Sequence, residues 1–218
     1  MAKLRDTVRE YLTPTFIAEA AHLLGEEENN TAKALYGLCA TILAGLLDKA
    51  DDPEAMQRIF HQFDHYSPHI LEDPGGLLRL GNLAHHDPKE IAGHWMGQLF
   101  GHHIKTITHG VASFSGIKLS SASFLIGVAG PIVMAVIGHR IQSSVLNASG
   151  LANLLLSDRE RILTAMPSGL GVALGFHAPA ANPVQNPDVA TGMQWLLPLL
   201  LLLALGGGIM VYLRYCGG

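Results

Sequence analysis

Apolar residues recur along this chain three and four apart, and no stretch alternates convincingly like a strand, so the pattern predicts an all-α protein. Leu4, Val8, Tyr11 and Leu12 give a short amphipathic helix. Thr13-Pro14 then reads as an N-cap followed by proline at the first helical position. The helix it opens has Phe16, Ile17, Ala20, Ala21 and Leu24 on its apolar face and Gly25 as its stop. Acidic Glu26, Glu27 and Glu28 suit the next helix N-terminus through the macrodipole. That helix runs from about Asn30 to Lys49, with Leu35, Leu38, Cys39, Ile42, Leu43 and Leu46 on one stripe. Its charge-free part, Ala34 to Leu47, is 14 residues, too short to cross a bilayer, and is predicted as a central buried helix. Asp52-Pro53 opens another helix, with Met56, Ile59, Phe60 and Phe63 at helical spacing.

Between Tyr66 and Asp87 the signals become turn-like (Ser67-Pro68, Asp73-Pro74-Gly75-Gly76, Gly81), predicting a mid-domain connection. Asp87-Pro88 caps a helix with Ile91, Trp95, Met96, Leu99 and Phe100, and a further helix holds Ile104, Ile107, Val111 and Phe114 before Gly116. Ser120 or Ser121 is expected to start a long apolar helix to about Gln142, kinked at Pro131. Its stretch Leu119–Gly138 carries 20 residues without a charge, so a second membrane span has to be weighed. An internal similarity argues for a core helix instead. Shifting the chain by 91 positions lays Ala21 on Ala112, Gly25 on Gly116 and Ala44 on Ala135, and Leu35, Ile42 and Leu46 on Ile126, Val133 and Ile137. Both copies read as amphipathic helix, glycine stop, polar cap and long apolar helix, which predicts repeat halves at about 4–65 and 88–170. Asn147 is then expected to cap a helix carrying Leu151, Leu154 and Leu155. Ser157-Asp158-Arg159-Glu160 matches a capping box, and Pro167-Ser168-Gly169-Leu170 closes the domain.

Residues 175–194 hold Pro179, Pro183 and Pro187 among Ala, Asn and Gly and read as a linker. Trp195 to Leu213 follows, 19 residues without a charge inside an uncharged window that begins at Val189. At about 1.5 Å per residue such a helix spans close to the ~30 Å of a bilayer core. Trp195 at one end, with Tyr212, Arg214 and Tyr215 at the other, are the expected membrane-interface residues. The organisation read from the sequence is therefore a helical domain over 1–174, a linker over 175–194, one transmembrane helix over 195–213 and a short tail, 214–218. Ala204 and Gly208, four apart, form a candidate helix-association face.

Composition narrows the chemistry. The net charge of −4 comes without any Lys/Arg cluster, which argues against a nucleic-acid partner. Of two cysteines, Cys39 falls in a core pattern and Cys216 just past the span, where lipidation, an intermolecular disulfide or a free thiol are the alternatives. Twelve histidines are the compositional oddity. His61 and His65 would share a helix face as weak metal-ligand candidates, but Pro68 precedes His69 and no H-E-x-x-H glutamate is present. No nucleophile elbow, phosphate-binding glycine loop or C-x-x-C occurs, so neither catalytic residues nor a cofactor are expected.

The stretches TPTFIAEAAHLLGEEENNTAKALYGLCATILAGLLDKA, VASFSGIKLSSASFLIGVAGPIVMAVIGHRI and LNASGLANLLLSDRERILTAMPSGLG resemble the YidB-like bacterial family of unknown function over roughly residues 4–174. The resemblance implies an all-helical domain. In many members that domain precedes a proline-rich linker, one membrane helix and a periplasmic OmpA-like domain that binds peptidoglycan. The first two features are present here and the third is not, so peptidoglycan is expected as a partner only through a domain absent from this chain. The resemblance implies no catalytic residue.

These observations predict a bacterial inner-membrane protein with a cytoplasmic N-terminal domain, since MAKLRDTVREYL lacks a signal-peptide core. Arg214 beyond the span opposes that orientation weakly under the positive-inside rule. The expected role is a membrane-anchored, self-assembling or protein-binding scaffold, with membrane lipid as a partner. The alternatives are a lipid or small-molecule binding module, a truncated envelope protein, or a histidine metalloenzyme.

Overall fold

The computed structural model describes residues 3–63, 68–79 and 88–176; the linker and the segment Trp195–Leu213 lie outside the described residues. Among these residues all regular structure is helical. Two long helices, α3 (Glu28–Asp48) and α8 (Leu119–Ser144), pack on each other and carry the rest. Around α8 lie α1 (Leu4–Tyr11), α6 (Pro88–Phe100), α7 (Ile104–Ser115) and a 3₁₀ turn at Pro68–Leu71. Around α3 lie α2 (Pro14–Leu24), α7 and α10 (Arg159–Thr164), while α4 (Pro53–Phe63) packs on α9 (Ala148–Ser157).

Both long helices are apolar and long enough to cross a membrane, with mean hydropathy 1.2 and 2.0, yet 78% and 83% of those stretches are covered by other helices. Coverage on all sides explains why α8 has no polar face: a helix buried around its circumference needs none. Pro131 sits inside α8 and is itself buried.

The caps show which local signals were decisive. Thr13 Oγ1 accepts from Phe16 N at 3.2 Å, with Pro14 opening α2. Gly25 and Gly116 end α2 and α7 in the left-handed region, at φ 61° and 77°, where a side chain would be strained. The helices after them begin at Glu28 and Leu119, 91 positions apart, as are the two glycines.

Two caps depart from the sequence reading. The N-cap of α8 is Lys118, not Ser120 or Ser121, and its own side chain does not cap. The Glu26 carboxylate does so instead, accepting from Ser121 Oγ at 2.7 Å and Lys118 N at 2.9 Å. Lys118 Nζ in return donates to Gly25 O at 3.1 Å, so the two glycine elbows are laced together. Ser157 does not form a capping box: its hydroxyl donates to Leu154 O, and the N-cap of α10 is Asp158. The Asp158 carboxylate, buried, accepts from Arg5 N at 3.2 Å and so caps α1 from across the domain. Finally, the segments read as connection and closure contain short helices, α5 (Gly76–Arg79) with Leu77 and Leu78 buried, and α11 (Leu170–Ala173) with Leu170 buried.

Hydrogen bonding from Ser121 and then from the Lys118 backbone, helped by the Lys118 ammonium and opposed by desolvation, holds the Glu26 carboxyl below its usual range. A lowered carboxyl contributes stability that is complete above its ordinary value and disappears as pH falls through the lowered one. Glu26→Gln is therefore expected to cost about 1–2 kcal/mol at neutral pH and much less at an acid pH well below the ordinary carboxyl value. Urea melts at the two pH values check this; an equal loss at both would remove the charge-assisted cap.

Val145 ends α8 at φ 49°, 91% exposed, an unusual conformation for a β-branched residue with no packing to offset it. Val145→Gly or Val145→Asn is expected to raise stability by about 1 kcal/mol, read as a higher urea midpoint.

Candidate functional site

Asp52 positions α4 by accepting from Glu54 N and Ala55 N, both at 3.0 Å. Ala55, Met56 and Phe63 then face inward. On α6, Trp95, Met96 and Phe100 do the same. The two helices meet where the Phe63 ring approaches Trp95 edge-on, centroids 6.1 Å apart, and where Gln62 Nε2 donates to Gln98 Oε1. Gln98 is held in turn by His94, 3.0 Å from its Nε2, so the amide is oriented from both sides. Away from these contacts the helices diverge and leave a groove of about 390 Å³.

Trp95, Ile59, Leu99 and Ala55 supply the apolar lining of this groove. Arg58 and Lys49 supply the charge. Among the described residues each cation has only a light partner: Arg58 lies 3.8 Å from Glu54 with both side chains exposed, and Lys49 pairs with the adjacent Asp48 at 2.8 Å. Exposed pairs of this kind contribute ~0–1 kcal/mol, so a ligand anion competes easily with them. The Trp95 indole N–H is buried and has no acceptor among the described residues. Such a donor normally costs about 1–3 kcal/mol when left unpaired.

A second, shallower depression of about 900 Å³ is bordered by Lys33, Lys105 and His109, with Ser113 and Ser168 beside them. Lys33 Nζ stacks over the Phe114 ring at 4.5 Å. The third concavity, near Glu19 and Asp73, is closed electrostatically by Arg79, which bonds Asp73 at 2.6 Å and Glu19 at 3.2 Å.

The structure brings together few of the residues singled out from sequence. His61 is exposed on α4, its Nε2 2.9 Å from Gln57 Nε2. His65 lies outside the described residues, as do Trp195, Ala204, Gly208, Tyr212, Arg214, Tyr215 and Cys216. Among the described residues no group of three or more His, Cys, Asp or Glu is arranged to hold a metal ion. Cys39 is buried in α3, and burial pushes its thiol up to about 12. Sequence reasoning missed the groove because its lining comes from the end of α3, one face of α4 and one face of α6. The available signal was the four-residue spacing of Arg58–Gln62 and His94–Gln98, which places each pair on one helix face.

A family model described as bacterial protein of unknown function (DUF937) matches residues 6–140. No curated protein and no solved structure matches the chain.

Proposed function

The chain belongs to this bacterial family of unknown function (DUF937), and on that premise we propose that it is a helical scaffold or interaction module held at the bacterial inner membrane by one span, Trp195–Leu213. The observation that carries this reading is the coverage of α3 and α8. Their hydrophobicity is accounted for by burial at 78% and 83%, without a membrane. The uncharged run Trp195–Leu213 lies outside both and has the length and flanking aromatics of a span. Exposed Leu23, Leu119, Val145 and Val172 leave the domain apolar points for a protein partner. The 91-residue offset of the glycine elbows and long helices supports a two-fold repeat as the origin of the domain, consistent with a structural rather than catalytic role.

In this reading the N-terminal domain is cytoplasmic and the tail periplasmic, membrane lipid surrounds the span, and Ala204 and Gly208 favour self-association. Topology is tested at Cys216. Cys39 is 4% exposed with a suppressed thiol, so it does not compete for reagent. A membrane-impermeant maleimide is expected to label Cys216 in cells with a permeabilised outer membrane. Labelling only after the inner membrane is opened would reverse the topology, and release by alkaline carbonate would remove the anchor. Unchanged oligomer size in Gly208→Ile would count against self-association through that face.

A second reading, small-molecule binding, is favoured by the α4–α6 groove.

A further inference from the structure

We propose that the groove between α4 and α6 binds a small amphipathic anion, with its apolar body against Trp95, Ile59 and Leu99 and its carboxylate, sulfonate or phosphate on Arg58 and Lys49. The inference rests on the small-molecule reading and is independent of the membrane anchor.

The two halves of the lining specify the two halves of the ligand. Ile59 and Leu99 sit on helix faces patterned for the core, yet both are only half-buried and line the groove. A flat ring or short alkyl body covers them and Trp95 at once. Charge selects the other end. Among the described residues, the charged ones lining the groove are Arg58 and Lys49, both cations. Lys49 is the C-cap residue of α3, where the helix dipole favours a cation, so its position is set by the fold rather than by Asp48 alone. The guanidinium of Arg58 presents a planar fork suited to a carboxylate or phosphate. Arg58 also lies four residues from Gln62, placing the anchor beside the fixed Gln62–Gln98 pair.

Trp95 adds an independent clue. Its N–H is buried and unpartnered among the described residues, while Lys49, Arg58, Gln62 and Gln98 each have a partner. Trp95 lines the groove, and a ligand oxygen reaching this donor would satisfy it. The volume, about 390 Å³, lies at the small end of ligand pockets and suits a one- or two-ring molecule.

The test uses the full chain in mild detergent with Trp195→Phe, which leaves Trp95 as its single tryptophan. Phenyl phosphate and naphthalene-2-sulfonate are titrated while Trp95 emission is read, with inorganic phosphate as the control. Saturable change is expected with at least one aromatic anion, at a Kd on the order of 1 mM or tighter for a ligand of that size. Arg58→Gln is expected to weaken it about tenfold and Arg58→Lys to restore part of the loss. Arg58 is 68% exposed in its side chain, so these variants retain the fold, checked by circular dichroism. Absence of saturation with both probes, equal affinity in Arg58→Gln, or equally tight inorganic phosphate would each overturn the proposal. Carbonate extraction of the same protein reports the anchor separately.

Discussion

Ile132→Asp is expected to unfold the helical domain while leaving the chain in the membrane. Ile132 is 0% exposed, immediately after Pro131 in the middle of α8, the helix on which α1, α3, α6 and α7 all pack. An aspartate there either stays ionised without solvent or takes up a proton, and in both forms the burial of the isoleucine side chain is lost. An uncompensated charge at such a position costs several kcal/mol, comparable with the ~5–15 kcal/mol that holds an ordinary domain together. Circular dichroism is expected to show loss of cooperative urea unfolding. Ser123→Asp, at an exposed position of the same helix, is expected to change stability by less than about 0.5 kcal/mol. Membrane retention should survive Ile132→Asp, because Trp195–Leu213 and not α8 is the proposed span. Loss of both folding and membrane attachment together would assign the anchor to α8.

Gly45→Leu is the second large effect. A Cβ at Gly45 would lie 2.5 Å from Phe100 Cζ, 2.6 Å from Cε1 and 3.1 Å from Leu99 Cδ2. The Phe100 ring is 5% exposed and lies directly against α3, so it has little room to retreat. The added volume should cost roughly 3 kcal/mol, offset by the ~1 kcal/mol by which leucine outperforms glycine in a helix. Phe100→Ala alone costs about 3–5 kcal/mol through the cavity it leaves. Combined with Gly45→Leu it should cost less than the sum, by about 1–3 kcal/mol, because the leucine fills part of that cavity. Additive losses in urea melts would show that the two side chains do not meet. The same contact fixes the C-terminal end of α6, so Gly45→Leu should also disturb the groove wall at Leu99.

The helices themselves were legible where a cap and an apolar stripe agreed. Thr13-Pro14, Gly25, Gly116 and Asn147 all act as their residue types suggest, because each needs only its immediate neighbours. The failures share a cause: the capping group comes from elsewhere in the fold. Glu26 reaches the start of α8 across 92 positions of sequence, and Asp158 reaches α1 across 153. No local pattern encodes either, and Ser157 has the capping-box spacing although its hydroxyl donates back to Leu154 O. The four-residue helices α5 and α11 were invisible for another reason, since one turn is below the length at which periodicity can be measured. The groove was hidden because Ile59 and Leu99 obey the core pattern yet are only half-buried, and its lining is assembled from residues far apart in sequence.

The central claim, that the apolar helices α3 and α8 are core elements of a domain and the membrane anchor lies beyond them, is tested most directly by removing residues 180–218. The described helices all fall within the compact unit Met1–Pro179. Residues 1–179 are expected to partition into the soluble fraction, to show a strongly helical circular dichroism spectrum and to unfold cooperatively in urea. Retention in the membrane through alkaline carbonate would contradict the account, because it would make α3 or α8 the span.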